Sequence, residues 1–296
     1  MNEGKFTMSY LVFTDATADM NDQMIAAFPT LRIIPMNVNL DGTEYLYGPG
    51  GNLNIRDFYA AQRDGKFAST SQITPFAYRE MFEPVLKDGQ DILYLCFSSG
   101  LSDTIEAARI CAGELREQYP DRRIEIVDTL CGAVGEGFLV YEAMKEYEAG
   151  MDLDDLAAWA EARKMHVCHW FTVDTFDHLL HGGRVSSASA AVGTLLNIKP
   201  FLHVDDLGKL EVMGKPRGRK QATKKQRERM NEGWEPELGK FVLIGHGDNQ
   251  EIADGLKADI LKEHPDAEVQ TAYIGPVIGA HTGPDMLALI YWGNNR

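Results

Sequence analysis

The sequence LLHGGRVSSASAAVGTLLNIKP, residues 179–200, combines two adjacent glycines, an arginine, several small hydroxyl side chains and an apolar run. Gly182 and Gly183 can adopt the positive φ that a helix C-terminus and a tight turn require. A helical pattern that begins near Thr175 is therefore expected to end there, and a second, small apolar helix is expected over residues 190–196. Arg184 lies at the corner between the two helices, either as an ordinary surface cation or as part of a binding site.

The composition of the whole chain indicates a soluble protein of two domains. The chain has 296 residues, of which 44% are hydrophobic, so it is long enough to bury two cores. Its formal net charge of −15 argues against a nucleic-acid binder, because contacts to phosphates need a basic surface. No apolar run reaches the ~18 residues of a membrane span. The N-terminus lacks a leader pattern, and a cytoplasmic location is expected.

The cysteines and histidines favour a protein without a metal site. Four cysteines occur without CxxC spacing, which predicts buried, reduced thiols. If residues 166–174 form a strand, alternation places His166 and Cys168 on one face and His169 on the other. These side chains then cannot converge on one metal ion. His178 and His181 complete this group of metal candidates, and the other three cysteines are Cys96, Cys111 and Cys131.

In the first half of the chain, apolar strands alternate with helical segments. Strands are predicted over residues 10–13, 91–97 and 123–127, each followed by a loop that carries hydroxyl side chains. This alternation predicts an α/β fold with an open parallel sheet and helices on both faces, whose ligand site lies at the carboxyl ends of the strands. Residues 31–40 are expected to be extended, with Pro35 indicating either an edge strand or an irregularity, and residues 70–72 are expected to be a polar loop. Helices are predicted over 21–27, 54–63, 75–86, 133–147 and 152–164. A further helix is predicted to begin at residue 102 or 103, and its inward face consists of Ile105, Ala108, Ile110, Cys111 and Leu115.

The second half of the chain predicts a mixed α/β domain with antiparallel strands. Residues 205–208, DDLG, form a hairpin turn between two extended segments. The change in composition near residue 166 divides the chain into an N-terminal domain of residues 1–165 and a C-terminal domain of residues 166–296. Extended segments are predicted over 166–174, 198–204, 209–213, 240–246, 268–275 and 286–292, with helices near 217–232 and 250–263.

Short polar and glycine-containing motifs are spread along the whole chain. They are TDAT at 14–17, TSQ at 70–72, SSGLSDT at 98–104, GGRVS at 182–186, GTLLNIKP at 193–200, RG at 217–218, GP at 275–276 and HTGP at 281–284. In this order they resemble the DegV family of bacterial fatty-acid-binding proteins. Two positions depart from the family pattern, because Ala16 stands where serine is usual and Asp103 where glycine is usual. Asp103 is expected to bring a carboxylate near the head-group loop.

The resemblance implies a protein that holds one long-chain fatty acid between two domains. Members of this kind serve as the lipid-presenting subunit of a fatty acid kinase, so the chain is expected to be a carrier and not an enzyme, without a cofactor. By the motif match, Thr70 and a serine of the pair Ser98 and Ser99 bind the carboxylate. The residues expected near the head group or the added phosphate are Ser71, Gly183, Arg184 and His281.

A basic run lies in this otherwise acidic chain. Residues 215–229, KPRGRKQATKKQRER, hold eight cations and one acid. One interpretation is a solvated helix face. The other is a docking surface for an acidic partner protein, such as the kinase, or for an anionic membrane surface, formed by Arg217, Arg219, Lys220 and Lys224.

Two other functions remain open at this point. In the first, Ser98 or Ser99 is a nucleophile with His281 as its base, and the protein is an acyl hydrolase or acyl transferase. In the second, the protein binds a different apolar anion. Motif spacing alone does not place a serine beside the histidine.

Overall fold

The computed structural model describes residues 9–190, 197–294 and 296. In the first half the elements are β1 (Tyr10–Asp15), α1 (Asp22–Ala27), β2 (Arg32–Ile34), β3 (Met36–Leu40), β4 (Thr43–Tyr47), α2 (Ile55–Arg63), β5 (Ala68–Thr70), α3 (Pro75–Lys87), β6 (Asp91–Cys96), α4 (Thr104–Gln118), β7 (Ile124–Asp128), α5 (Val134–Glu148) and α6 (Leu153–Arg163). In the second half they are β8 (Val167–Thr172), α7 (Asp177–His181), α8 (Ser187–Ala190), β9 (Phe201–Val204), β10 (Leu210–Gly214), α9 (Arg219–Gly233), β11 (Phe241–His246), α10 (Gln250–Glu263), β12 (Glu268–Tyr273), α11 (Pro276–Thr282) and β13 (Leu287–Trp292).

A parallel four-stranded sheet forms the N-terminal part, in the order β2-β1-β6-β7. Its central strands are apolar on both faces because helices cover both sides. The hydroxyl-bearing loops after β1, β6 and β7 therefore lie along one edge, as the sequence predicts. The start of α3 is also confirmed, since Thr74 accepts a hydrogen bond from the Ala77 amide (3.2 Å) and Pro75 occupies the first helical turn.

A second, antiparallel sheet with the order β4-β3-β5 was not expected from the sequence. Pro35 separates β2 from β3, so the extended segment 31–40 serves two different sheets. The polar loop predicted at residues 70–72 is wrong at its first residue. Thr70 ends strand β5, where it pairs with Val38.

The C-terminal sheet has six strands in the order β10-β9-β8-β13-β11-β12. Only β11 and β12 pair in parallel, and the other neighbours are antiparallel, which confirms the predicted mixed domain. The turn at residues 205–208 joins β9 to β10, with a Gly208 amide to Asp205 carbonyl hydrogen bond of 2.9 Å. Helix α11 was missed, although Pro276 at its first turn is a start signal.

Apolar cores lie on both faces of the parallel sheet and on both faces of the six-stranded sheet. Helix α5 packs against both sheets. Phe138 stacks on Phe241 of β11 with ring centroids 5.2 Å apart, and Val140 and Met144 belong to the core of β1 and β6. Helix α2 of the first half also contacts the second half, where Tyr59 donates to the Ile274 carbonyl at 2.8 Å. The division at residue 166 stays a prediction, and contacts cross it from both sides.

Other sequence predictions have mixed outcomes. Ile110 is 57% exposed and does not belong to the inward face of α4, because it lies five residues after Ile105 and falls off the buried stripe. All four cysteines are buried, and none forms a disulfide in the described chain. The described part of α8 ends at Ala190, so most of the helix predicted over 190–196 lies outside the described residues. No described helix is long and apolar enough to cross a membrane.

Candidate ligand-binding site

A narrow cavity of about 100 Å³ lies between the carboxyl edge of the parallel sheet and the six-stranded sheet. Loop residues after β1, β6 and β7 form one wall, and side chains of β8 and β13 form the opposite wall. The walls are mostly apolar, as a site for a hydrocarbon requires. The lining residues include Thr17, Phe97, Leu101, Ser102, Gly132, Ala133, Val134, His169, Phe171, Leu179, Val204, Leu210, Val277, Ile278, Met286, Ala288 and Ile290.

The polar part of this cavity is built around Thr70 and His281. Thr70 stands at the end of β5 and His281 on α11, and Thr70 Oγ1 lies 2.8 Å from His281 Nε2. Arg184 lines the same region, and its guanidinium donates to the Gly182 carbonyl. Ser71 also contributes to the wall, together with Gln72 and Thr282.

His281 is a neutral side chain at neutral pH. Burial, followed by the nearby cation of Arg184, lowers its pKa to about 4. Burial also lowers the pKa of Arg184, but a guanidinium stays protonated in proteins. With the imidazole proton on Nε2, His281 donates to Thr70 Oγ1, and the Thr70 hydroxyl is available to donate to a bound carboxylate. The pair can therefore hold an anion through a hydroxyl, with one guanidinium charge nearby.

The two predicted serines do not reach the cavity. Ser98 is fully buried and donates to the Gly208 carbonyl at 2.8 Å, so its hydroxyl holds the β9–β10 turn against the parallel sheet. Ser99 is exposed, and its amide donates to Asp128. Ser102 lines the cavity instead. Since Ser98 bonds to Gly208 and His281 bonds to Thr70, the geometry does not pair a serine with His281 as nucleophile and base.

Of the other positions expected near the head group, Gly183 is exposed on the turn before Arg184 and has a φ of 70°. Asp103 is exposed and absent from the lining residues, so it does not bring a carboxylate to the head group as expected. Ala16 is buried and packs in the core beside β1.

A buried acidic network under the cavity wall was missed by sequence reasoning. Thr17 Oγ1 lies 2.5 Å from Asp15 Oδ1 and 2.6 Å from Glu136 Oε2. Thr14 and Tyr94 donate to the remaining oxygens of Glu136 and Asp15. The Thr17 hydroxyl has one proton and can donate to only one of the two carboxyl groups. The other carboxyl group, of Asp15 or Glu136, must therefore be protonated and donate to the Thr17 oxygen. Burial raises the pKa of both carboxyl groups, in agreement with this count. The available signal was Glu136, the one charged residue in the otherwise apolar segment 133–141, AVGEGFLVY.

The family model described as "Uncharacterised protein, DegV family" matches residues 9–294 of this sequence. The chain belongs to the DegV family. A DegV domain-containing protein of Clostridium perfringens is 39% identical to it over 97% of this chain and 98% of the relative. The match therefore covers both halves of the DegV fold and all elements that form the cavity.

Solved DegV structures share this fold. A DegV family protein from Thermus thermophilus, described by its fatty acid binding, has a TM-score of 0.83 at 27% identity and covers 97% of this chain and 100% of its own. The Streptococcus pneumoniae Fatty Acid Kinase (Fak) B3 protein loaded with linoleic acid has a TM-score of 0.85 at 18% identity, over 97% of this chain and 100% of its own. The second likeness shows the fold alone.

Proposed function

We propose that this DegV protein binds a long-chain fatty acid in the cavity between the two sheets, with the carboxylate at Thr70 and His281. The observation that carries the proposal is the 2.8 Å contact between Thr70 Oγ1 and His281 Nε2 in the wall of a mostly apolar cavity. Fatty acid binding by a DegV protein of the same fold supports it.

The acyl chain supplies most of the binding free energy. Each buried methylene contributes about 0.8 kcal/mol, so a sixteen-carbon chain contributes up to ~11 kcal/mol before the costs of ordering. One hydroxyl donor contributes far less, and its role is to orient the head group. Chain selection therefore depends on the shape of the apolar walls.

The head-group chemistry suits a carboxylate that must still react. A neutral hydroxyl donates to one carboxylate oxygen without neutralising it in an ion pair, so the other oxygen stays available. Arg184, which follows Gly183 in the chain and lines the cavity together with Ser71, provides the positive charge for a phosphate added there, and the Ser71 hydroxyl provides a donor. Thr70, Ser71, Arg184 and His281 are the head-group residues that we propose. Ser98 and Ser99 are left out because of their positions.

We further propose that the chain is a carrier that presents this carboxylate to a separate fatty acid kinase, which phosphorylates it to an acyl phosphate. The exposed cations at the start of α9 fit an acidic partner protein. Arg217, Lys220 and Lys224 are exposed, whereas Arg219 is largely buried in an ion pair with Asp174. The surface that we propose for docking, the α9 basic surface, therefore consists of Arg217, Lys220 and Lys224.

Mass spectrometry of the purified protein tests the carrier function. Under native conditions the expected spectrum shows the chain plus the mass of one fatty acid, and under denaturing conditions that mass is released as free acid. A T70V variant should carry less lipid. An acyl adduct that persists on a serine after denaturation would favour the hydrolase or transferase. Protein that carries no lipid and takes up none after incubation would refute the proposal.

A further inference from the structure

The short helix that carries His281 is held against the first half of the chain. Helix α11 has seven residues, too few to be stable by itself, so its position depends on its neighbours. Helix α2 lies directly against it, because a β-carbon on Gly279 would fall 2.7 Å from the Tyr59 hydroxyl oxygen. Gly279 therefore allows side chains of α2 to reach the backbone of α11.

One polar side chain of α2, Gln62, uses this close contact. It is buried, with only 4% of its surface exposed. Its side-chain nitrogen Nε2 donates to the Gly279 carbonyl oxygen at 2.9 Å, and a carbonyl only accepts, so the nitrogen end of the amide faces α11. Gly279 precedes His281 by two residues. The hydrogen bond therefore holds the backbone of α11 within one helical turn of the head-group histidine.

The amide of Gln62 also lies close to α7, the helix on the other side of His281. Its Nε2 is 3.5 Å from Nδ1 of His178, a second and longer contact. His178 in turn packs on the glycine that ends α11, since a β-carbon on Gly283 would lie 2.4 Å from Cδ2 of its ring. Gln62 is therefore in contact with both helices that surround the head-group histidine.

We propose that Gln62 is a positioning residue of the head-group site, whose amide fixes α11 so that His281 lies within hydrogen-bond distance of Thr70. This inference rests on the proposed fatty acid binding. The Thr70 Oγ1 to His281 Nε2 distance is 2.8 Å, and the contact joins β5 of the first half to α11 of the second. Hydrogen bonds weaken steeply when their geometry is disturbed, so a small shift of α11 is enough to lose it. Gln62 lies outside the cavity lining formed by the described residues, so it acts through α11.

Binding of stearic acid and of stearyl alcohol separates positioning from a general loss of packing. Both ligands present the same acyl chain, but only the acid presents an anion to the head-group pair. Q62M keeps the length of the side chain and removes the donor. Displacement of a fluorescent fatty acid from delipidated Q62M protein should show acid affinity reduced about 5-fold, as expected for one hydrogen bond, and alcohol affinity within about 2-fold of wild type.

Y59F is the matched control. Tyr59 of the same helix donates to the Ile274 carbonyl at 2.8 Å, before α11 begins. Y59F therefore also loses one buried hydrogen bond from α2 to a backbone carbonyl, and it should lower the thermal stability as much as Q62M while it keeps the acid-to-alcohol affinity ratio of wild type. Q62N, whose amide is one methylene shorter, should lose the Gly279 contact and behave as Q62M does, and it carries the test if Q62M does not fold.

The outcomes distinguish this inference from the proposed function. Equal losses for acid and alcohol in the Gln62 variants, or no loss, would overturn the positioning role and leave the proposed function intact. A selective loss of equal size in Y59F would also overturn the specific role of Gln62. Wild-type protein that binds neither ligand would refute the proposed function itself.

Discussion

Gly182 lies directly against His281, so that a β-carbon at position 182 would fall 2.2 Å from Nδ1 of the imidazole. The glycine after α7 thus sets where the histidine of α11 can lie, and so allows its contact with Thr70. This contact explains in physical terms why a glycine and a histidine, 99 residues apart in sequence, serve one site.

Replacing Gly182 should move the head-group histidine. G182A displaces the His281 ring and disturbs its contact with Thr70, and we expect fatty acid affinity to fall about 10-fold because the head-group geometry is lost. Displacement titration measures the change. The matched control is G113A in α4, where an added β-carbon meets nothing within 4 Å and helix propensity favours alanine. Equal affinity of G182A and wild type would contradict the assigned head-group geometry.

Removing the Thr70 hydroxyl should weaken carboxylate binding. T70V keeps the shape of the side chain but deletes the donor, and we expect a loss of ~1–3 kcal/mol in binding free energy. Titration calorimetry with a fatty acid and with the corresponding fatty alcohol measures it, since the alcohol lacks the anion. S69A, at an exposed position on the same strand, is the control. If T70V binds the acid as tightly as wild type, Thr70 does not contact the carboxylate.

Replacing the two serines after β6 should affect stability differently, and neither replacement should change fatty acid binding much. S98A leaves the buried Gly208 carbonyl without its donor, and we expect the free energy of unfolding to fall by ~1 kcal/mol. S99A, at an exposed position, should change it by less than ~0.5 kcal/mol. Denaturant unfolding measures both. A large loss of fatty acid affinity in S99A would restore the role that the motif match implied.

The stability of the lipid-free protein should depend on pH through His281. Its pKa is about 4 in the folded protein and 6.5 ordinarily, so between these values the unfolded chain binds one more proton. The contribution of neutral His281 to the free energy of unfolding is fully present above pH 6.5 and is lost as the pH falls toward 4. The difference in unfolding free energy between wild type and H281Q should therefore change by up to ~1.4 kcal/mol per pH unit in this window. A constant difference from pH 7 to 4 would show that His281 titrates normally.

Charge reversal on the α9 basic surface should impair transfer to the kinase without affecting lipid binding. K220E combined with K224E should lower kinase turnover at limiting carrier concentration, because opposite charges steer association. Raising the salt concentration should lower wild-type turnover in the same direction. The control is K262E, an exposed lysine at the end of α10. Unchanged turnover in the double variant would assign the run to a solvated helix face.

The sequence by itself determined the local structure of this protein. The Thr74-Pro75 helix start, the turn at residues 205–208 and the buried strands depend on neighbours within a few residues, and their signals are therefore complete in the sequence. The order of the motifs was also sufficient to identify the family, because the motifs are spread over the whole chain.

Only the tertiary structure decided which side chains meet. Thr70 reaches His281 because β5 pairs with β3, and Ser98 turns toward Gly208 because the β9–β10 hairpin packs on the loop after β6. The proximity of His169 to Gly135 likewise depends on the packing of α5 against the six-stranded sheet. These contacts join residues far apart in the chain, and their geometry depends on how sheets and helices pack, which no local pattern of residues encodes.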